Sequence, residues 1–409
     1  MSSDIALIYS SDFAKYNFGR SHPLKPVRVE LTWALMEAYG LTTHEKVRVL
    51  PPRLATDREL AWVHSEGYVE AVKRFSKAGS AGNSWHEGMA YGLGPGDNPI
   101  FSGMYEAAAL VAGASLVAIE AMLDESNGVT YAFNPAGGLH HAQRSRASGF
   151  CIFNDAALAI KRYLLEHPDG RVMYVDVDAH HGDGVQWLFY DDPHVLTLSI
   201  HESGEFLFPG TGFVEEVGEG DGVGTSINLP LLPLFYEEPY LDVFDAIVPE
   251  AAKIYQPDLL VTQLGVDTHF GDPLTSLGLS TGTHHRLGER LHKIATEHAK
   301  DNWLALGGGG YLMTVVPRSW TMILAEMLGV ALSNQLPEQW VERAAKAVPD
   351  EETPTTLRDY NTLVEDRLIR DPSYALKRQS YGDELVAKVR DQVFPLLEKA
   401  VERLDARKG

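Results

Sequence analysis

Short β-branched runs that alternate with longer helical patterns constrain this chain more than any other feature. Ile5–Tyr9, Val47–Leu50, Val129–Phe133, Val172–Val177, Val195–Ile200, Leu259–Leu264 and Trp303–Leu306 read as strands. Between most of them lie stretches of helical pattern, among them Asp155–Glu166, Tyr240–Tyr255 and His284–Ala299. The alternation predicts an α/β fold: one open, mostly parallel sheet with helices on both faces. Runs such as Val172-Met173-Tyr174-Val175 are apolar at successive positions, as expected of strands covered on both sides. Ligands of such sheets bind beyond the carboxyl ends of the strands. Chemistry is therefore expected just after each strand.

Three polar clusters stand at those places. After Val172–Val175 comes Asp176-Val177-Asp178-Ala179-His180-His181-Gly182-Asp183, and after Leu259–Leu264 comes Gly265-Val266-Asp267. Residues i, i+2 and i+4 of an extended segment share a face, so Asp176, Asp178 and His180 are expected to converge. Two carboxylates and one imidazole give three ligands with room left for water, as catalytic zinc requires. The competing reading is a set of turn and N-cap aspartates. The second cluster, Gly137-Gly138-Leu139-His140-His141-Ala142, follows Val129–Phe133. Two adjacent imidazoles need partners for their second nitrogens, and Asp176 and Asp183 could supply them. Beside a metal set, such a pair becomes a general acid/base candidate. The third cluster is Gly307-Gly308-Gly309-Gly310-Tyr311. Glycines there permit close backbone approach and positive φ, aiming Tyr311 inward, where its hydroxyl could donate to a developing oxyanion.

Composition narrows the function classes. With 44% hydrophobic and 22% charged residues over 409 positions, the chain can bury a core without covalent staples. Thirty-five Lys and Arg against 56 Asp and Glu leave a net charge of −21, which argues against nucleic acid as a direct partner. A lone cysteine, Cys151, excludes a disulfide framework and a Cys-rich zinc module, and suits a reducing cytosol. Beside Phe150 it reads as a small apolar filler rather than a nucleophile, since no flanking base is evident. The amino terminus lacks the basic-then-apolar order of a secretion signal. Ala107–Ile119, the most apolar long run, is too short to span a bilayer and reads as a buried core helix. A cytoplasmic protein with no membrane partner is expected. The chain contains no G-x-S-x-G, H-E-x-x-H, P-loop or G-x-G-x-x-G, the minimal signatures of serine hydrolases, zincins and nucleotide-binding folds.

Taken together, the clusters resemble the histone deacetylase family, in particular its class I-like branch, which includes bacterial acetoin-utilisation deacetylases. The resemblance covers about the first 330 residues. It rests on Gly138–Ala142, Ser148-Gly149-Phe150-Cys151-Ile152-Phe153-Asn154-Asp155, Asp176–Asp183, Phe208-Pro209-Gly210-Thr211-Gly212 and Gly307–Tyr311. It implies an arginase/deacetylase-like sheet and a hydrolase that removes acetyl groups from lysine side chains of a protein or peptide substrate. Asp178, His180 and Asp267 would hold a divalent cation, zinc by default; the oxygen-rich set also suits Fe(II). His141 would be general base and then acid, with His140 its electrostatic neighbour. Asp183 would orient His141 and Asp176 would orient His140, while Tyr311 would polarise the acetyl carbonyl. Gly149, Phe150 and Phe208 match the walls of an acyl-lysine tunnel with Leu274 at its rim. Asp97 matches a residue that grips the substrate backbone, and Arg28 one in an internal channel for acetate. Structural monovalent cations, potassium by default, would occupy two sites. One would use Asp176, Asp178, His180, Ser199 and Ile200; the other Phe189, Asp192, Val195 and Thr225, where the family often has an aromatic in place of Thr225.

Three readings compete with this one. A two-metal ureohydrolase of arginase type needs additional bridging carboxylates, and Asp267-Thr268-His269-Phe270-Gly271-Asp272 lacks a closely spaced Asp-x-Asp. The substrate could instead be an acetylated polyamine or another small amide. A non-enzymatic acyl-lysine binder is disfavoured because every catalytic position holds a competent residue. A composition shift near Ser333 separates a catalytic domain over 1–332 from an extension over 333–409. That extension carries a polar stretch, Asp350–Pro354, and one amphipathic helix around Leu385–Leu404, packed on the domain or used in assembly. Oligomeric state is left open.

Overall fold

In the computed structural model, which describes residues 4–79, 85–361, 364, 371 and 373–408, eight strands form one sheet. They are β1 (Asp4–Ile8), β2 (Val47–Leu50), β3 (Val129–Asn134), β4 (Val172–Asp176), β5 (Val195–Glu202), β6 (Ser226–Leu231), β7 (Leu259–Gln263) and β8 (Trp303–Leu306). The order is β2-β1-β3-β8-β7-β4-β5-β6, and every pairing is parallel. Every residue of β4, β5, β7 and β8 is buried, as expected of strands covered on both faces. The chain builds β1 to β3 at one side and β4 to β6 at the other, then returns to insert β7 and β8 between them. The carboxyl ends of β3, β8, β7 and β4 thus lie side by side, although their sequences are far apart.

Helices cover both faces. Met104–Leu123 packs on β1 and β3 and against Asp155–Glu166. Thr281–His298, Val315–Leu328 and Val27–Ala38 pack side by side in the other layer, with Glu237–Tyr255 beside Thr281–His298. The apolar run expected over Ala107–Ile119 extends to a 20-residue helix, long and apolar enough to cross a membrane by length and composition. Thirteen of its residues are nonetheless buried, so it serves as the core helix expected of it.

Two elements differ from the sequence reading. Strand β6 was not anticipated, because Pro230 interrupts its pattern. It is the edge strand, the place where a residue without an N–H is tolerated. The helix Ser373–Gln392 shields that edge, and the Tyr381 hydroxyl donates to the Pro230 carbonyl at 2.8 Å. The single carboxyl-terminal helix expected around Leu385–Leu404 is two helices, Ser373–Gln392 and Phe394–Lys408, with a turn at Val393. Pro395 accounts for the break, since it has no N–H to continue the first helix yet is tolerated in the first turn of the second. Both helices lie on Glu237–Tyr255. The helix Glu338–Ala347 packs on Val27–Ala38, where Trp340, Leu357, Leu31 and Leu35 form a small second core. There Trp340 Nε1 donates to the Leu31 carbonyl at 2.9 Å.

Candidate metal-dependent active site

The segments following β3, β4, β7 and β8 meet as the topology requires. Strand β4 ends at Asp176, so Asp178 and His180 lie beyond the pleat and the i, i+2, i+4 rule does not carry to them. Asp176 turns to His140 instead, and Asp267 completes the convergent set. His180 Nδ1 stands 3.1 Å from Asp178 Oδ1 and 2.9 Å from Asp267 Oδ2, and all three residues are buried. The outer oxygens are already engaged. Asp178 Oδ2 accepts from Gln263 Nε2 (2.7 Å) and from the Gly309 N–H (2.8 Å), and Asp267 Oδ1 accepts from the Ala179 N–H (2.8 Å).

Those bonds turn one oxygen of each carboxylate toward a common point, as outer partners of metal ligands do. Two carboxylates concentrated where water is excluded call for compensating positive charge. The three donor atoms lie within 4.8 Å of one another. An oxygen/nitrogen set of three with positions left for water fits a divalent cation of catalytic type. Gly309 is required for this closeness: a Cβ there would come within 2.2 Å of Asp267 Oδ2 and 2.7 Å of Asp178 Oδ2.

His140 and His141 are wired to separate carboxylates. His140 Nδ1 lies 2.8 Å from Asp176 Oδ2, and His141 Nδ1 lies 2.6 Å from Asp183 Oδ1. The two Nε2 atoms face each other at 3.0 Å, so one must donate to the other. Burial opposes charge on His140, but Asp176 and Asp178 outweigh it and push its pKa up to about 9. Burial and the neighbouring His140 push His141 down to about 4, against the pull of Asp183. The pair is thus differentiated in direction: Asp176 and Asp178 favour the proton on His140, whereas His141 is held neutral with its Nδ1 anchored on Asp183.

Tyr311 follows the glycine run, where Gly308 (φ +142°) and Gly310 (φ +134°) adopt backbone open to glycine. Its N–H donates to Asp272 Oδ2 at 2.8 Å, and its ring meets Phe150 edge-on with centroids 5.7 Å apart. Burial, then Asp267 and Asp178, raise its phenol well above 10, so it remains a donor. Phe208 packs edge-on to His141 at 5.1 Å and lies 6.4 Å from the His180 ring. Phe150 and Phe208 therefore flank the histidines and the donor set as aromatic walls. Phe150 holds φ +68° behind Gly149 at +49°, a backbone state costing a bulky residue about 1–2 kcal/mol. The Tyr16 hydroxyl holds it by donating to the Phe150 carbonyl (2.8 Å).

The remaining expected residues fall around this centre. Asp97 lines a groove of ≈ 330 Å³ together with Phe208 and Arg146. Its carbonyl accepts from His22 Nε2 (3.1 Å), and the His22 ring packs on Phe150 at 4.4 Å. Leu274 is exposed, on a loop whose N–H is held by Asp272 Oδ1 at 2.9 Å. Arg28 is buried over Trp320, donates to the Gly308 carbonyl at 2.6 Å, and lines an internal cavity with Tyr16 and Leu139. Ser199 pairs in register with Asp176, and Ile200 follows it on β5. The carbonyls of Phe189, Asp192 and Thr225 each accept a backbone N–H, from Asp192, Val195 and Thr197 respectively.

Several residues that build the site are given no role by the sequence reading. Asp155 accepts the N–H groups of Gly138 (3.0 Å) and Leu139 (2.8 Å) and the Ser115 hydroxyl (2.6 Å). Asn154 donates to the carbonyls of His140 and Ala142. Both open the helix Asp155–Glu166, so in the sequence they look like ordinary cap residues. Gln143 steadies Asp183 at 2.7 Å, and the Tyr174 hydroxyl steadies Asp176 at 2.6 Å. Gln263 ends an apolar strand, the same signal that singled out Asp176.

Known proteins share this fold. The model of the histone deacetylase domain family matches residues 22–327. The acetoin utilization protein AcuC of Bacillus subtilis (strain 168) is 41% identical over 347 residues, 85% of this chain and 88% of that protein. Its counterpart in Staphylococcus aureus (strain MSSA476) is 38% identical over 344 residues, 84% of this chain and 86% of that protein. Among solved structures, a histone deacetylase homolog complexed with SAHA superposes with TM-score 0.78 at 32% identity, covering 90% of this chain and 99% of that one. The homolog from Aquifex aeolicus gives 0.77 at the same identity and coverage. A matched domain, relatives aligned over most of their length, and a buried Asp–His–Asp set beside two carboxylate-wired histidines agree: the chain belongs to the histone deacetylase family and is a hydrolase of its deacetylase type.

Proposed function

We propose that the protein hydrolyses the side-chain amide of acetyl-lysine in proteins or peptides, giving lysine and acetate, with zinc held by Asp178, His180 and Asp267. The observation that carries the reading is the pair of aromatic rings, Phe150 and Phe208, packed on Tyr311 and His141 beside that donor set. Aromatic walls accept a long, neutral acylated stem, whereas a charged lysine would pay desolvation there, which favours release of product. A divalent cation bound by the set would lower the pKa of water toward 7 and polarise a carbonyl oxygen.

The chain's own groups do the rest. His141 takes a proton from the attacking water at Nε2 and returns it to the departing amine nitrogen. Asp183 fixes its tautomer, and His140 adds positive charge. Tyr311 donates to the developing oxyanion. Asp97 at the groove would grip the substrate backbone, Leu274 would border the mouth, and Arg28 would attract acetate leaving by the internal cavity. Structural potassium is assigned to Asp176, Asp178, His180, Ser199 and Ile200, and a second ion to Phe189, Asp192, Val195 and Thr225. The cytoplasm, with its acetylated proteins, is the compartment this activity suits.

The test is acetate release from an acetyl-lysine peptide and from N-acetylputrescine, using metal-free, Zn(II)- and Fe(II)-loaded protein. Metal-dependent turnover of the peptide is expected. Turnover of the polyamine alone would move the substrate to small amides, and peptide binding without acetate would make the protein a reader.

A further inference from the structure

Residues beyond the matched family domain reach back into the loops that carry the site. Glu351 accepts the Met313 N–H at Oε1 (2.9 Å) and both the N–H and the hydroxyl of Thr314 at Oε2 (3.0 Å each). These are the second and third residues after Tyr311. They open the helix Val315–Leu328, where N–H groups have no partner within the helix. Asp359 accepts the N–H and hydroxyl of Thr281 (2.9 Å each) and pairs with the buried Arg318 guanidinium at 2.8 Å. It also faces His269 Nε2 at 3.2 Å. Since His269 Nδ1 accepts the Gly271 N–H (3.2 Å), Nε2 carries the proton and donates to Asp359. His269 stands two residues after Asp267 and three before Asp272, which receives the Tyr311 N–H. Arg318 joins the two anchors, because its Nε donates to the Thr314 carbonyl at 2.8 Å.

We propose that Glu351 and Asp359 are positioning residues: the carboxyl-terminal extension is a clamp that sets Tyr311 through Glu351 and the Asp267 loop through Asp359. The glycine run ahead of Tyr311 cannot fix the phenol by its own backbone, and Arg28 restrains only the carbonyls before it. Glu351 supplies the restraint after it. The proposal rests on the roles given above to Tyr311 and Asp267. It separates from a plain docking role, in which the two carboxylates hold the extension on the domain without affecting chemistry.

The test compares Glu351→Gln, Asp359→Asn and Arg390→Ala in the full chain. Arg390 serves as control, since it bonds Glu250 and the Ala246 carbonyl at another part of the extension. Measured would be kcat and KM on an acetyl-lysine peptide, the Zn(II) dissociation constant by chelator competition, amide hydrogen exchange, and Tm. Glu351→Gln is expected to lower kcat about tenfold, with KM and zinc affinity kept, and to speed exchange at Met313 and Thr314. Asp359→Asn is expected to raise the zinc dissociation constant about tenfold. Arg390→Ala is expected to lower Tm alone. Should Asp359→Asn fail to fold, His269→Leu removes the same link and leaves the Arg318 pair intact; it should weaken zinc equally. Loss of Tm with unchanged kcat and zinc affinity in the Glu351 and Asp359 or His269 variants would overturn the proposal. If the wild type fails to turn over any acetyl-lysine peptide, the proposed function falls. Zinc affinity and amide exchange would then still decide for or against the clamp.

Discussion

Gly149 lies against the ring of His141 so closely that a Cβ on it would stand 2.3 Å from His141 Cδ2 and 2.7 Å from Cγ. Its φ of +49° disfavours a side chain as well. Gly149→Ala should therefore displace the imidazole that faces the donor set. We expect kcat/KM to fall by about 10²-fold or more with zinc binding retained, and a stability cost of about 1–3 kcal/mol from overpacking. Steady-state kinetics beside metal analysis of the same preparation checks this.

His141 lies outside the Asp178–His180–Asp267 donor set, and its Nδ1 is taken by Asp183. His141→Ala should abolish turnover, a loss of about 10²–10⁴-fold, while the protein still binds one equivalent of metal. Stoichiometric metal loss would contradict the role of proton carrier.

Tyr311→Phe removes one hydroxyl and leaves the ring against Phe150. The expected result is a kcat about 10²–10³-fold lower with KM little changed. An unaltered rate would end its part as oxyanion donor.

Gln263 holds the outer oxygen of Asp178 at 2.7 Å, and its Oε1 accepts the Gly265 N–H at 2.7 Å. Gln263→Leu should weaken zinc by about 10–100-fold, read by chelator competition. Equal affinity would show that Asp178 needs no such support.

His64 offers a pH test away from the donor set. Its Nε2 accepts the Asn154 N–H (3.0 Å), so Nδ1–H donates to the Gln143 carbonyl (3.0 Å). Burial lowers its pKa to about 4, against an unfolded value of about 6.5. Between those values the unfolded chain binds a proton that the folded one refuses, so stability is full above about 6.5 and declines as pH falls toward 4. The contribution is on the order of 3 kcal/mol. His64→Gln, which can accept and donate the same bonds, should flatten urea-derived stability across that window by one proton's worth. A slope equal to that of the wild type would refute it.

The strand ends were legible because a polar residue closing an apolar run has no packing reason to be there. Asp176, Asp178, Asp267 and the His140-His141 pair all announced themselves in that way, and the parallel sheet followed from alternation alone. What the sequence hid were residues whose type suits an ordinary local task. Asn154 and Asp155 pass for helix caps, Tyr174 for a core aromatic, and Glu351 and Asp359 for solvated charges. Apart from Tyr174, which bonds Asp176 two positions on, their work depends on partners between 12 and 90 positions away, a separation that no local pattern encodes. Strand β6 was lost for a related reason: Pro230 argues against a strand until the neighbour that makes it an edge is known.

The late entry of β7 and β8 between β3 and β4 has a consequence for biogenesis. When the ribosome has delivered the histidine pair and the first two donors, the middle of the sheet is still unsynthesised, and Asp267 and Tyr311 do not exist. Neither half holds all three donor residues, so the site is incomplete until β7 and β8 have been made.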